Sequence, residues 1–236
     1  MKILGVIPSR MESKRLPRKP LLNINGKSMI QRVYESSINC KSLNDLIIAT
    51  PNDEIVTHVK KFNGNVIKTS NKPINGTERV FEAVEKINKK YDYIINIQGD
   101  EPFIKAEQIN DLIQICVEPN EICTLIKEEE YSKQLSQESV MKVVKNIKNE
   151  ALYFSRSLIP SGKPDVFNRH ICIYAYTPEV LRKIVHLKPT PNEISESLEQ
   201  LRWLENGYKI KLNSTKFDSF SVDTEEDLIR ARNLNI

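Results

Sequence analysis

The chain reads as an α/β protein: a mostly parallel central sheet with helices on both faces, plus a smaller β-rich insertion. Two observations predict the sheet. Short apolar runs at residues 2–7, 45–49, 65–68 and 94–97 alternate with stretches of helical character, and strands that alternate with helices pair in parallel through helical crossovers. Pro8, Pro51 and Gly99 stand at the ends of three of these runs, where turn residues close a buried strand. A third observation predicts the insertion. The segments at 141–144 and 169–176 are rich in β-branched and aromatic residues, which fit a pleated, half-buried surface. No linker, repeat or low-complexity segment interrupts the chain. It is therefore read as a single domain over 1–236, with 126–215 as the β-rich part and 216–236 returning to the main sheet.

The elements follow in order. Residues 2–7 form a first buried strand, and 9–18 form a polar, basic loop. Ser28 and Gln31 have the spacing of a capping box and open a helix that runs through Ser37. The strand at 45–49 closes at Thr50-Pro51-Asn52-Asp53, and a helix over 54–61 leads to a strand at 65–68. Thr77 begins a helix whose apolar positions Val80, Phe81, Val84 and Ile87 share a face. The run Ile94-Ile95-Asn96-Ile97 is a buried strand, and Gln98-Gly99-Asp100-Glu101-Pro102 is the turn at its C-terminal edge. In the second half, strands are expected at 141–144, 169–176, 208–212 and 220–224, and a helix over 195–205 with Leu198, Leu201 and Leu204 on its core face. Thr224, with Asp227 at the box position, caps a final helix.

Composition narrows the function. A formal charge of +4 is mild, and the densest basic cluster, Lys14-Arg15 with Arg18-Lys19, lies in a loop without interleaved aromatics. That suits a small polyanion and argues against a nucleic-acid partner, which needs an extended basic face or base-stacking aromatics. Cys40, Cys116, Cys123 and Cys172 have neither metal-ligand nor scaffold spacing, so they read as free thiols of a reducing compartment. No apolar run approaches the length of a membrane span, and the start of the chain lacks the pattern of a signal peptide. A cytoplasmic protein without membrane insertion is expected.

Three segments would meet at the C-terminal edge of such a sheet, where open parallel sheets bind ligands. The first is the loop after strand one, whose Arg10, Arg15 and Lys19 can neutralise a triphosphate, although the same loop could simply be a solvated basic surface. The second is the Gln98-Gly99-Asp100 turn. The third is Val222-Asp223-Thr224, whose aspartate could also serve only to start the last helix. Two strand-end aspartates beside a basic loop suit a magnesium–nucleotide site, in which the ion bridges carboxylates and phosphate oxygens. No Ser-His or Cys-His arrangement points to a covalent intermediate.

Ile7-Pro8-Ser9-Arg10 followed by Ser13-Lys14-Arg15-Leu16-Pro17-Arg18-Lys19-Pro20-Leu21 resembles the N-terminal signature of CMP-KDO synthetases, the 3-deoxy-manno-octulosonate cytidylyltransferases of lipopolysaccharide synthesis. The resemblance continues through Gly76-Thr77-Glu78-Arg79, Asn96-Ile97-Gln98-Gly99-Asp100-Glu101-Pro102 and Ala151-Leu152-Tyr153-Phe154-Ser155-Arg156. It extends to Arg169-His170-Ile171-Cys172-Ile173-Tyr174, Glu196-Ser197-Leu198-Glu199-Gln200-Leu201-Arg202 and Val222-Asp223-Thr224. It implies a Rossmann-like nucleotidyltransferase fold and the reaction of CTP with a 2-keto-3-deoxy sugar acid to give its CMP ester and pyrophosphate. It also implies roles. Arg10, Ser13, Arg15 and Lys19 grip CTP, with Arg79 and Gln98 as further contacts, and residues 1–125 carry most of that site. Asp100 and Asp223 hold magnesium and, with Lys19, form the catalytic set. Gln98, Arg156, His170, Tyr174, Glu199 and Gln200 line the sugar-acid pocket, and homodimerisation occurs through the β-rich half. A histidine beside a buried strand can equally be structural, which leaves His170 open.

The chain departs from the family pattern at Pro73-Ile74-Asn75, where a more polar run with a serine before Gly76 is usual, and the segment between Arg156 and His170 is shorter. Both departures touch the sugar side, since a changed hydroxyl pattern changes which analogue a site rejects. The alternatives are the same reaction on an 8-amino-substituted KDO or an N-acylneuraminate, and a non-catalytic nucleotide-binding protein of the same fold.

Overall fold

In the computed structural model, which describes residues 1–13, 15–117, 120–162 and 164–234, the first apolar run becomes β1 (Ile3–Pro8), buried over Ile3 to Ile7. A two-residue hairpin, β2 (Asn23–Ile24) and β3 (Lys27–Ser28), leads into α1 (Met29–Ile38). Ser28 caps this helix by accepting from the Gln31 N–H at 3.2 Å, while the Gln31 side chain donates to Glu35 at 2.7 Å instead of closing the box. There follow β4 (Asp45–Thr50), α2 (Asp53–Lys61), β5 (Val66–Lys68), α3 (Gly76–Lys86), β6 (Tyr93–Ile97) and α4 (Ala106–Ile113). The buried face of α3 is Thr77, Arg79, Val80 and Ala83. Of the expected apolar face, Val80 is buried, Phe81 and Val84 are half-buried, and Ile87 is the extended residue that follows the helix, because the inward face is turned towards Thr77, Arg79 and Ala83.

The chain divides into two units, Met1–Ile109 with Asp218–Ile236, and Asn110–Phe217. In the first, β1 lies between β6 and β4, β4 pairs with β5, and all three pairings are parallel. The register sets Pro8 beside Ala49 and Val6 beside Asn96. The loops that leave β1, β4 and β6 therefore start on one edge of the sheet, and this places the chemistry. Gly99 is needed there: a Cβ on it would lie 2.7 Å from the Pro8 carbonyl oxygen. The basic loop after β1 is anchored. Leu16 is buried with Ile24, Met29, Val222, Leu228 and Ala231, and the Ser13 hydroxyl accepts from the Leu16 N–H at 3.3 Å. Lys14 of the basic cluster lies outside the described residues.

The second unit is the β-rich part. It contains β7 (Ile122–Glu129), β8 (Lys142–Lys145), β9 (Ala151–Ser155), β10 (Phe167–Tyr176), α5 (Pro178–Ile184), α6 (Pro191–Glu196), α7 (Glu199–Glu205) and β11 (Ile210–Ser214). β10 runs antiparallel to β7 and β8, β8 antiparallel to β9, and β11 parallel to β7. Trp203 is buried edge-on against Tyr174 and Tyr176, with ring centroids 5.2 and 5.5 Å away. The helix expected over 195–205 is two helices. Ser197 adopts a left-handed conformation (φ 53°) and Leu198 is extended, which breaks the run between α6 and α7.

The last helix is α8 (Glu225–Arg232), capped by the full Thr224–Asp227 box. No strand forms over 220–224. A backbone bond from the Val222 N–H to the Asp100 carbonyl at 2.9 Å, the burial of Val222 and the stacking of Phe220 on Phe103 hold that segment in place, with Asp223 beside Asp100. Among the described residues, no helix is long and apolar enough to cross a membrane.

Candidate active site

A cleft of about 670 Å³ opens at the edge of the sheet in the first unit. All eight residues singled out for the nucleotide and the metal line it: Arg10, Ser13, Arg15, Lys19, Arg79, Gln98, Asp100 and Asp223. Volume and concavity suit a ligand of nucleotide size.

The centre is a four-membered charge cluster. The Lys19 Nζ donates to Asp100 Oδ2 at 2.7 Å and to Asp223 Oδ1 at 2.8 Å, and the Arg15 guanidinium lies 3.1 Å from the same Asp223 oxygen. Backbone geometry aims Lys19 inward. Arg18 is left-handed (φ 58°), and the short 3-10 turn Lys19–Leu21 with buried Pro20 follows it. The Arg18 side chain turns outward to Glu54. Burial by itself would lower the Lys19 ammonium, but Asp100 and Asp223 outweigh it and hold its pKa above the ordinary lysine value. Burial by itself would raise Asp223, but Lys19 and then Arg15 outweigh it and hold the carboxyl below the usual range. These opposed effects are those of a preformed, compensated ion cluster.

Two carboxylates that reach one nitrogen atom can also address one metal ion. Among the described residues there is no group of three or more His, Cys, Asp or Glu that could hold a metal. An ion at Asp100 and Asp223 would therefore complete its shell from phosphates and water. That donor set, one or two carboxylates plus phosphate oxygens, fits magnesium.

Around the cluster the roles divide. The Arg10 side chain is exposed and donates to the Ile74 carbonyl at 3.3 Å. The Gln98 amide donates to Asn96 Oδ1 at 3.2 Å and lines the cleft. Arg79 is buried, and its guanidinium donates to Thr69 Oγ1 at 2.7 Å, the Ser70 carbonyl at 3.1 Å and the Pro73 carbonyl at 3.3 Å. Burial, then Arg10, lowers its pKa. With those donors engaged, Arg79 holds the 69–74 loop in shape at the cleft wall. Asn75 stands at the N-cap of α3, where its Oδ1 accepts from the Glu78 N–H at 2.8 Å, and the Ile74 N–H donates to Glu78. An asparagine in place of a serine here keeps the cap, since both residue types are strong N-caps.

In the second unit, His170 is buried on β10, its Nε2 2.9 Å from the Thr124 hydroxyl and its ring edge-on to Phe154. Burial, reinforced by Arg169, pushes its pKa down to about 3, so it is neutral at physiological pH. The Tyr174 ring lies 5.4 Å from the His170 ring, and burial holds its phenol protonated. The Arg156 guanidinium donates to the carbonyls of Glu196 (2.8 Å), Glu138 (3.0 Å) and Ser197 (3.3 Å). It therefore ties the end of β9 to the break between α6 and α7. Gln200 is buried at the start of α7 with its amide 3.9 Å from the Met141 sulfur, and Glu199, half-buried, precedes it.

Comparison with known proteins decides the family. The profile of the cytidylyltransferase family matches residues 4–210. The 3-deoxy-manno-octulosonate cytidylyltransferase of Cytophaga hutchinsonii is 44% identical over 97% of this chain and 95% of its own. The enzyme of that name from Parabacteroides distasonis is 45% identical over 98% and 97%.

The chain belongs to the 3-deoxy-manno-octulosonate cytidylyltransferase family.

A solved CMP:2-keto-3-deoxy-manno-octonic acid synthetase complexed with CTP superimposes with a TM-score of 0.92 at 36% identity, covering 98% of this chain and 97% of that one. A glucose-1-phosphate thymidylyltransferase from Bacillus anthracis shares the fold at a TM-score of 0.69 and 17% identity. The protein is a nucleotidyltransferase, and its α/β architecture is that of the family. The structure singles out three further residues. Asn75 and Gly76 line the cleft and were noted in the sequence only as a departure and a motif glycine. Lys142 was not foreseen at all. It is fully buried, and its ammonium donates to the carbonyls of Val140 (2.7 Å), Gln137 (3.1 Å) and Arg156. Nothing in the local sequence separates such a lysine from an exposed strand lysine.

Proposed function

We propose that this cytidylyltransferase activates 3-deoxy-manno-octulosonate: CTP + KDO → CMP-KDO + pyrophosphate, with magnesium as the cofactor. The observation that carries the reading is the cleft in which Lys19 and Arg15 meet Asp100 and Asp223 at 2.7–3.1 Å, in a chain 44% identical over nearly its whole length to an enzyme of that name.

The anomeric hydroxyl of the sugar acid attacks the α-phosphorus, a new P–O bond forms, the bond to the β-phosphate breaks with its electron pair leaving on pyrophosphate, and the hydroxyl proton passes to solvent or to the pyrophosphate. Protein chemistry here is positioning and charge stabilisation. Arg10, Arg15 and Lys19 draw the triphosphate into the cleft and offset the charge that builds on the leaving pyrophosphate. Asp100 and Asp223 would hold the magnesium ion. When bound, that ion polarises the phosphate and favours ionisation of the attacking hydroxyl. Gln98 orients substrate at the cleft wall. The family resemblance assigns the sugar acid to Arg156, His170, Tyr174, Glu199 and Gln200, with His170 acting as a neutral, buried partner rather than as a proton carrier.

A second reading, the same reaction on a modified sugar acid, is favoured by one observation. Ile74 is 69% exposed at a position where the family pattern is polar, and its carbonyl is held by Arg10. The physiological setting we infer is a cytoplasmic homodimer that feeds lipopolysaccharide or capsule synthesis. A pyrophosphate-release assay with CTP against KDO, 8-amino-KDO and N-acetylneuraminate tests both readings. Selective turnover of KDO is expected, and turnover with none of the three would reject the function.

A further inference from the structure

Lys19 occupies the position between Asp100 and Asp223 in which the proposed function puts a metal ion. Its Nζ is 2.7 Å from one carboxylate and 2.8 Å from the other, and its side chain is 15% exposed while theirs are 30% and 32%. A magnesium ion needs its oxygens at about 2.0–2.1 Å in near-octahedral array. An ammonium and such an ion cannot share the same pair of oxygens. The four groups in contact, Lys19 and Arg15 against Asp100 and Asp223, sum to zero charge. A free divalent ion approaching this cluster thus meets carboxylates already satisfied, and must shed strongly held water for no net electrostatic gain.

A polyphosphate changes that balance. It brings several negative charges into a cleft whose wall carries Arg10, Arg15, Lys19 and Arg79, the last with its guanidinium held by the 69–74 loop. The lysine stem is long and flexible, with three rotatable donors, so its ammonium can leave the carboxylates for phosphate oxygens while the backbone turn at residues 18–21 stays in place. That movement, together with the turn of the exposed Arg15 guanidinium from Asp223 to the same phosphates, frees two carboxylates at the moment phosphate oxygens arrive to complete the ion's shell.

We propose that Lys19 is a stand-in cation, which denies Asp100 and Asp223 to free divalent ions and releases them only when a polyphosphate draws its ammonium away. The inference rests on the reading of Asp100 and Asp223 as the metal pair and adds to it the order of events. Metal and nucleotide binding become positively coupled, and linkage requires the coupling to be reciprocal. The free protein would ignore cellular divalent ions, and the ion would enter with, or after, the nucleotide.

Manganese is the probe, titrated into nucleotide-free protein and followed by electron paramagnetic resonance. Lys19→Met removes the ammonium and keeps the stem. It is expected to bind manganese about tenfold or more tightly than the wild type, because one positive charge has left the ion's immediate neighbourhood. Arg10→Met removes a charge from the same cleft without touching either carboxylate and is expected to change the affinity by no more than about twofold, as a more distant, screened charge should. Equal manganese affinity in wild type and Lys19→Met overturns the proposal, as does an equal gain in Arg10→Met. The double variant Lys19→Met/Asp100→Asn separates the two layers. Loss of the tight binding locates it at Asp100, whereas retention rejects Asp100 as a ligand and takes the proposal down with it. A readout without any variant is the nitrogen-15 signal of the Lys19 Nζ in wild-type protein with chelator. It is expected to shift when CTP saturates the cleft, and a signal that stays unmoved refutes the exchange of partners.

Discussion

His170 offers a test of how this chain spends its buried polar groups. Its ring is packed against Phe154 and Tyr174, its Nε2 pairs with the Thr124 hydroxyl, and its Nδ1 lies 3.8 Å from the Cys172 thiol. Burial and the neighbouring Arg169 depress its pKa from the ordinary 6.5 to about 3. The sign follows from linkage. In the native state the ring stays neutral, while in the unfolded chain it takes up a proton as the pH falls through 6.5. The stabilisation from a neutral His170 is therefore complete above that value and is lost progressively from 6.5 down towards 3. At pH 5 the unfolded state is favoured by about one and a half units of proton affinity, or about 2 kcal/mol at 1.36 kcal/mol per unit. His170→Gln keeps a polar atom near Thr124 and removes the titration. Urea unfolding at pH 7.5 and pH 5 should show the wild type losing about 2 kcal/mol more than the variant across that interval. The comparison of slopes cancels every other titrating group. Parallel slopes within about 0.5 kcal/mol would mean that His170 is hydrated or protonated in the native protein, and the reasoning from its burial would fail.

Three further outcomes are expected. Asp100→Asn should lower turnover by at least about a hundredfold while leaving CTP affinity within a few-fold, as removal of a group that acts in the transition state does; near-normal turnover at saturating magnesium refutes the metal role. Gly99→Ala should destabilise by roughly 1–3 kcal/mol in thermal or urea unfolding, because its Cβ would sit 2.7 Å from a backbone oxygen that cannot swing aside. Asn75→Ala should cost about 1 kcal/mol through loss of the α3 cap, and Asn75→Ser close to nothing; equal losses in the two would show that the side chain at 75 does more than cap.

Much of this protein was legible before any coordinates. The buried strands β1, β4 and β6 were visible as short apolar runs closed by Pro8, Pro51 and Gly99, because burial on both faces leaves no polar alternation to confuse. Seven of the eight expected cleft residues were legible because they cluster in three short segments at strand ends and loops; Arg79, on α3, stood in a fourth, and a family signature ties them together. Elements whose limits depend on distant partners were not legible. The break at Ser197 interrupts a run with good helical period, and its carbonyl partner is Arg156, far away in sequence. The segment at 220–224 looks like a strand because Phe220 and Val222 alternate with polar residues, yet among the described residues its backbone bond to another strand end is the one from Val222 to the Asp100 carbonyl.

The sequence by itself determined the α/β class, the edge on which the loops gather, and the identity of the charged groups in the cleft, since local pattern and residue type suffice for these. Tertiary structure alone decided what those groups do to one another. Arg79 is occupied with the 69–74 loop, Asn75 serves as a helix cap, and Lys142 is caged by carbonyls at 2.7 and 3.1 Å. Above all, Lys19 lies across both aspartates. Residues 19, 100 and 223 are far apart in the chain, and no local preference encodes the ångström-scale distances at which an ammonium compensates two carboxylates. Those distances come from the backbone turn at Arg18, the close approach that Gly99 permits and the backbone bond that draws Val222 to Asp100.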